Sequence, residues 1–102
     1  MKLTSKQRAY LRGLASELTP LFQLGKEGLN AHIEQHFDEA LEVRELVKGT
    51  VLKTADITVR EAADAIATAV KAEVVQVIGR KFVLYRPSKK RLEKGEAIIL
   101  PK

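Results

Sequence analysis

Gly25-Lys26-Glu27-Gly28 is a four-residue run with glycine at both ends and a lysine inside it. Residues without a Cβ let a backbone come close to a phosphate. A helix opening just beyond such a loop adds free N–H groups and the positive end of its dipole. The same run also suffices as a plain strand-to-helix turn. Neither G-x-x-x-x-G-K-[ST] nor G-x-G-x-x-G occurs in the chain, so nucleotide hydrolysis has no support. His32 and His36 stand four apart, a spacing that can hold a metal. Ile33 occupies the position where a zinc protease needs Glu, and no third histidine or any cysteine completes a site. Ser5, Ser16 and Ser88 have no histidine close in sequence. No catalytic, metal or cofactor constellation emerges, and the chain reads as a binding protein, not an enzyme.

The cations carry a clearer signal. Lys2, Lys6, Arg8 and Arg12 all precede the first acid, Glu17. Between residues 80 and 94, Arg80, Lys81, Arg86, Lys89, Lys90, Arg91 and Lys94 face Glu93 alone. The acids gather elsewhere, in Glu34, Asp38, Glu39, Glu42 and Glu45, where they read as solvated carboxylates on the outside of a helix. The net charge is +5 and the pI about 9.6. Charge segregated in this way makes a directional field suited to an anionic partner. Aromatic residues are few: Tyr10, Phe22, Phe37, Phe82 and Tyr85. The three phenylalanines read as core, and the paired aromatics on which an RNA-recognition-motif sheet stacks bases are missing. Recognition is therefore expected to rest on phosphates and shape.

These residues need elements to position them. Thr4 with Gln7 forms a capping box for a first helix, whose Leu11, Leu14, Ala15 and Leu18 share a face and which Pro20 ends. Leu21 to Leu24 reads as a strand before the glycine loop. Asn30 caps a second helix with Ile33, Phe37, Ala40 and Leu41 inward. Leu46 to Leu52 is a second strand, in which Gly49 weakens the strand or marks the close approach of another backbone. Thr58 with Glu61 is a second capping box, opening a third helix on Ala62, Ile66, Ala69 and Val70. Val74 to Ile78 and Phe82 to Tyr85 form a hairpin through Gly79-Arg80-Lys81. Residues 88 to 102 read as a basic, mobile C-terminal segment, in which Ala97 to Leu100 could add an edge strand. The spacing predicts an α+β fold in the order α-β-α-β-α-β-β, with helices on a mixed four-stranded sheet.

The 102 residues make one domain with enough apolar sequence, 45%, for a single core. Without cysteine there are no disulfides or thiolate sites. No signal-peptide pattern follows Lys2 and Lys6, and no apolar run approaches the roughly 20 residues of a membrane span. The expected compartment is the cytoplasm.

Taken together, Leu3-Thr4-Ser5-Lys6-Gln7-Arg8 with Leu11-Arg12, Leu24-Gly25-Lys26-Glu27-Gly28-Leu29, Val75-Gln76-Val77-Ile78-Gly79 and Val83-Leu84-Tyr85-Arg86-Pro87 resemble the CRM domain (chloroplast RNA splicing and ribosome maturation) in its stand-alone bacterial YhbY-like form. The four blocks cover nearly the whole chain in order. The resemblance implies a fold similar to the C-terminal domain of translation initiation factor three. It also implies RNA binding through the G-x-x-G loop and association with precursors of the large ribosomal subunit. Carried over, Gly25, Lys26 and Gly28 would contact RNA backbone, with Lys6, Arg8, Arg12 and Arg86 beside them. Glu27 departs from a purely basic loop. The charge runs add Arg80, Lys81, Lys89, Lys90 and Arg91. The expected partner is RNA, bound by a monomer with no DNA specificity and no membrane. The alternative is a basic module that meets an acidic protein.

Overall fold

The computed structural model describes residues 2–102. The elements follow as α1 (Ser5–Ala15), β1 (Phe22–Leu24), α2 (Ala31–Arg44), β2 (Leu46–Val51), α3 (Val59–Val70), β3 (Glu73–Ile78), β4 (Lys81–Tyr85) and α4 (Lys89–Glu93). The expected α+β order is present, with one short helix added at its end.

Local chemistry fixes the helix starts. The Thr4 hydroxyl accepts from the Gln7 N–H at 3.1 Å while the Gln7 carboxamide accepts from the Thr4 N–H at 3.1 Å. Thr58 and Glu61 repeat this exchange at the start of α3. Those bonds from Thr58 hold the Glu61 carboxyl below its ordinary pKa. Asn30 caps α2 by accepting from the Ile33 N–H at 2.9 Å. Helix α1 stops at Ala15, well short of Pro20. The Ser16 hydroxyl turns back to the Gly13 carbonyl at 2.7 Å, a local bond that competes with helix continuation.

The sheet order is β1-β2-β4-β3, parallel between β1 and β2 and antiparallel elsewhere. Strand β4 inserts between β2 and β3, so the β2–α3–β3 connection crosses over it. Ile78 pairs with Lys81 across a two-residue turn, with Gly79 at φ 58° in the position where a tight hairpin demands positive φ. A register shift between Val74 and Gln76 marks a bulge in edge strand β3, a common way to blunt an edge.

Alternation along the strands separates two apolar layers. Val47 and Val51 of β2 with Phe82 and Leu84 of β4 join Leu24, Phe37, Leu41, Ala62, Ala63, Ile66 and Val70 under α2 and α3. On the other face Leu46, Val75, Val83 and Tyr85 pack against Leu11 and Ala15 of α1 and against Leu3 just before it, closed by Ile98 and Leu100. Gly49 faces the first layer. A Cβ there would lie 2.7 Å from Phe82 Cζ and 3.2 Å from Phe37 Cζ. The close approach read from the sequence comes from two aromatic rings, not from a backbone.

The C-terminal segment departs most from expectation. Read as mobile, residues 88 to 102 contain α4, capped by the Ser88 hydroxyl on the Arg91 N–H. Ala97 to Leu100 form no strand; they run past α1, and the Gln7 carboxamide donates to the Pro101 carbonyl at 3.0 Å. Glu45, 1% exposed, holds this segment: its carboxylate accepts from the N–H groups of Ser88 at 2.7 Å and Ile98 at 2.6 Å.

Candidate nucleic-acid interface

The glycine loop is a β-turn. The Gly28 N–H donates to the Gly25 carbonyl at 3.0 Å, leaving Lys26 and Glu27 exposed at the two central positions. Gly28 has φ 67°, a conformation that costs a side chain roughly 1–2 kcal/mol. Gly25 differs. It is not among the positive-φ residues, and a Cβ there would meet only Leu52 Cδ1 and Thr54 Oγ1 at 3.5 Å, ordinary van der Waals contact. Nothing within the fold requires glycine at position 25. The loop, with Gln23, Asn30 and Ile33, lines one shallow hollow at the end of β1.

Sheet register decides what stands beside the loop. Because β1 and β2 are parallel, the loop after β1 lies next to the segment after β2, and the Leu52 N–H donates to the Leu24 carbonyl at 2.8 Å. The β3–β4 turn reaches the same end, where the Val51 N–H donates to the Arg80 carbonyl at 2.7 Å. Lys26, Lys53, Arg80 and Lys81, all exposed, therefore share one end of the sheet. Lys53 was not singled out from the sequence. Its place depends on the parallel pairing of β1 with β2, and that pairing was the one signal that could have found it.

The remaining candidate cations divide by what they touch. Lys6 and Arg12 are exposed on α1. Arg8 folds over the sheet edge, its guanidinium donating to the Val74 carbonyl. Arg86 lies at the opposite end of β4 from Lys81 and is engaged within the fold. Its side chain is 16% exposed, pairs with Asp38 and Glu42, and donates to the Val70 carbonyl at 2.9 Å and the Asp38 carbonyl at 2.9 Å. Arg91 donates to the carbonyls of Val43 at 2.9 Å and Glu96 at 2.7 Å and lies 3.7 Å from the Glu45 carboxylate. Asp38, Glu42 and Glu45 are thus paired with the basic run after β4; Glu45 is buried, whereas Asp38 and Glu42 keep much of their surface in solvent. Lys89 and Lys90 project from α4, away from the loop end.

His32 and His36 lie with ring centroids 4.2 Å apart, and His36 also meets the Phe22 ring at 5.9 Å. Among the described residues no group of three or more His, Asp or Glu side chains is placed to hold a metal, and no helix is long and apolar enough to cross a membrane.

Residues 3–86 match the family model of the CRS1 / YhbY (CRM) domain. The chain is 42% identical over 87 residues to "Probable RNA-binding protein YqeI" of Bacillus subtilis, covering 85% of this chain and 91% of that protein. It is 40% identical over 86 residues to an RNA-binding protein of Haemophilus influenzae, covering 84% and 87%. The solution structure of SAV1595 from Staphylococcus aureus, a candidate RNA-binding protein, superposes with a TM-score of 0.78 at 43% identity, covering 98% of this chain and 100% of that one.

Proposed function

The chain belongs to the CRS1/YhbY (CRM) domain family, and from that premise we propose that it binds RNA backbone at the loop end of its sheet. One observation carries the reading: Gly25 is a glycine the fold does not require, set beside Lys26, Lys53, Arg80 and Lys81. A missing side chain with no internal reason leaves room for something outside the chain. The surrounding cations select a polyanion, and the relatives bearing RNA-binding names make RNA the preferred one. Lys6 and Arg12 extend the field along α1. Arg86 and Arg91, spent on internal contacts, contribute little to it. The family resemblance supports the finer reading that the ligand is ribosomal RNA in precursors of the large subunit, bound by a monomer in the cytoplasm.

Several lysines displacing counterions make log affinity fall linearly with log salt concentration. Titration of structured RNA between low and moderate salt tests this, with Lys26→Glu in parallel. The expected outcome is a steep slope in the wild type and weaker, shallower binding in the variant. A flat slope rejects the reading. Gradient fractionation tests the finer reading: the protein should sediment with large-subunit precursors and be depleted from mature ribosomes and polysomes.

The alternative, an acidic protein partner, has one feature in its favour. Leu14, Leu18, Leu21, Leu46 and Ile98 line a groove at the end of α1 together with Arg44, Lys48 and Arg91 against Glu17. Association that survives nuclease would mark that mode.

A further inference from the structure

Strand register sets out a row of side chains on the sheet face that α1 covers only in part. Gln23 pairs with Thr50, Thr50 with Lys81, and Lys81 with Ile78. Each alternates with a residue of the α2/α3 layer: Leu24, Val51, Phe82 and Val77. The four side chains therefore point to the opposite face. Helix α1 closes that face over Leu46, Val75, Val83 and Tyr85, which lie toward the other end of the strands. The row stays open. Gln23 and Lys81 are exposed, Thr50 is half-buried, and Ile78 is 58% exposed. Lys48 and Gln76 flank Val83 in the next row, both half-buried and on the same face.

We propose that this open row, Gln23–Thr50–Lys81–Ile78 with Lys48 and Gln76 behind it, is a contact surface for helical RNA, reading its sugar–phosphate backbone and 2′-hydroxyls. The inference rests on the RNA-binding reading above and extends it from the loop onto the sheet. Four strands spaced about 4.8 Å apart give a track about 14 Å across. At one end of the row Gln23 also lines the hollow of the glycine loop, so loop and row form one continuous surface. Two lysines supply charge for phosphates. Two carboxamides and a hydroxyl can donate and accept, as a 2′-hydroxyl requires.

The row holds no aromatic ring. Phe22, Phe37 and Phe82 pack in or against the α2/α3 layer, and Tyr85 is buried under α1. Single-stranded RNA is held by stacking its bases on aromatic or guanidinium planes; the row itself carries neither, the exposed Tyr10 belonging to α1 and Arg80 to the β3–β4 turn. Double-stranded RNA is read by shape, phosphates and 2′-hydroxyls, which is the chemistry this face offers. Ile78 gives an apolar contact for a sugar at the far end of the track.

The test compares binding to an RNA duplex of about 16 base pairs, a length at which helical RNA shape is read, with the same sequence as a DNA duplex and as one RNA strand. Wild type should prefer the RNA duplex. Gln23→Ala with Thr50→Val should lower RNA-duplex affinity by roughly fivefold for each hydrogen bond lost, while leaving DNA-duplex affinity within about twofold. Thr50→Ser, which keeps the hydroxyl, should restore the preference at that position. Circular dichroism accompanies each variant; should the pair fail to fold, Gln23→Ala alone carries the test, since that side chain is exposed. Lys26→Glu should weaken binding to all three probes. Equal wild-type affinity for RNA and DNA duplexes overturns the inference, as does an unchanged RNA/DNA ratio in the folded double variant. In both cases a loss in Lys26→Glu leaves the loop reading standing. No binding to any probe removes both.

Discussion

The carboxylate of Glu45 accepts the backbone N–H of Ser88 at 2.7 Å, joining the end of α2 to the start of α4 across more than 40 residues of sequence. Glu45 adopts φ 65°, a left-handed conformation that a glutamate avoids, and is almost wholly buried. Its second oxygen takes the Ile98 N–H at 2.6 Å and lies 3.7 Å from the Arg91 guanidinium. Backbone strain of roughly 1–2 kcal/mol is thus offset by charge-assisted bonds, each worth more than neutral ones. This side chain anchors both ends of the stretch from Ser88 to Ile98, beside the Arg91–Val43 and Gln7–Pro101 bonds that hold the rest of the segment.

Glu45→Gln keeps size but can accept only at its oxygen, so its amide N–H₂ would face a backbone donor. The expected loss of stability is about 1–3 kcal/mol, measured by chemical denaturation. Removing residues 88–102 should destabilise further, because Glu45 loses its partners and Leu46 and Tyr85 lose Ile98 and Leu100. A truncated chain as stable as the full one would show that the segment contributes nothing to the fold.

Arg86 offers a sharper contrast. Arg86→Ala removes pairs with Asp38 and Glu42 and a bond to the Val70 carbonyl at the C-terminal end of α3. Stability should fall by about 2 kcal/mol, since the guanidinium is mostly buried and its loss removes its bonds to the Val70 and Asp38 carbonyls, while the half-exposed Asp38 and Glu42 carboxylates turn to water. The salt slope of RNA binding should hardly change. Lys26→Glu should do the reverse, lowering affinity with a stability change within roughly 0.5 kcal/mol. If Arg86→Ala weakened binding at constant stability, its place among the RNA contacts would be restored.

These pairs mark the boundary of what the sequence could reveal. Helix starts were legible because capping boxes are local: Thr4 with Gln7 and Thr58 with Glu61 stand three residues apart. Strand positions followed from β-branched runs and turn residues, and the mixed sheet followed from the hairpin and crossovers. The basic run after β4 was legible only as charge. Whether a cation faces solvent or an internal carboxylate depends on contacts such as Arg86 with Asp38, 48 residues apart, which no local pattern encodes. α4 escaped for the same reason. Four charged residues and a single leucine, Leu92, carry no apolar period, and its N-cap Ser88 is held by Glu42 and Glu45. The open row of the sheet depends on register among four strands, which the order of elements alone does not fix.

Tyr85 gives the fold a measurable alkaline limit. Burial pushes its phenol pKa above the ordinary value, and the Glu45 carboxylate nearby adds to the rise. A pKa raised on folding means the native state holds its proton more tightly than the unfolded chain. That stability is fully present below the unfolded value of about 10 and is lost as pH rises through the folded value. Denaturation midpoints measured from pH 9 upward should fall more steeply in the wild type than in Tyr85→Phe. Parallel curves would mean that the phenol ionises as freely in the native state as in the unfolded chain.

The two glycines of the loop should separate folding from binding. At Gly28, φ of 67° makes any side chain strained, although nothing lies within 4 Å of a Cβ there. Gly28→Ala should therefore cost about 1 kcal/mol of stability whatever the protein binds. At Gly25 the backbone is not left-handed, and a methyl group would rest 3.5 Å from Leu52 and Thr54. Gly25→Ala should leave thermal stability unchanged, or raise it slightly by restricting the unfolded chain. An RNA backbone drawn against the turn would meet that methyl group. The expected result is loss of RNA affinity with no loss of fold, read by binding titration beside a melting curve. Unchanged affinity in Gly25→Ala would mean that the loop is a turn and nothing more, and the binding surface would then have to lie on α1 and the sheet.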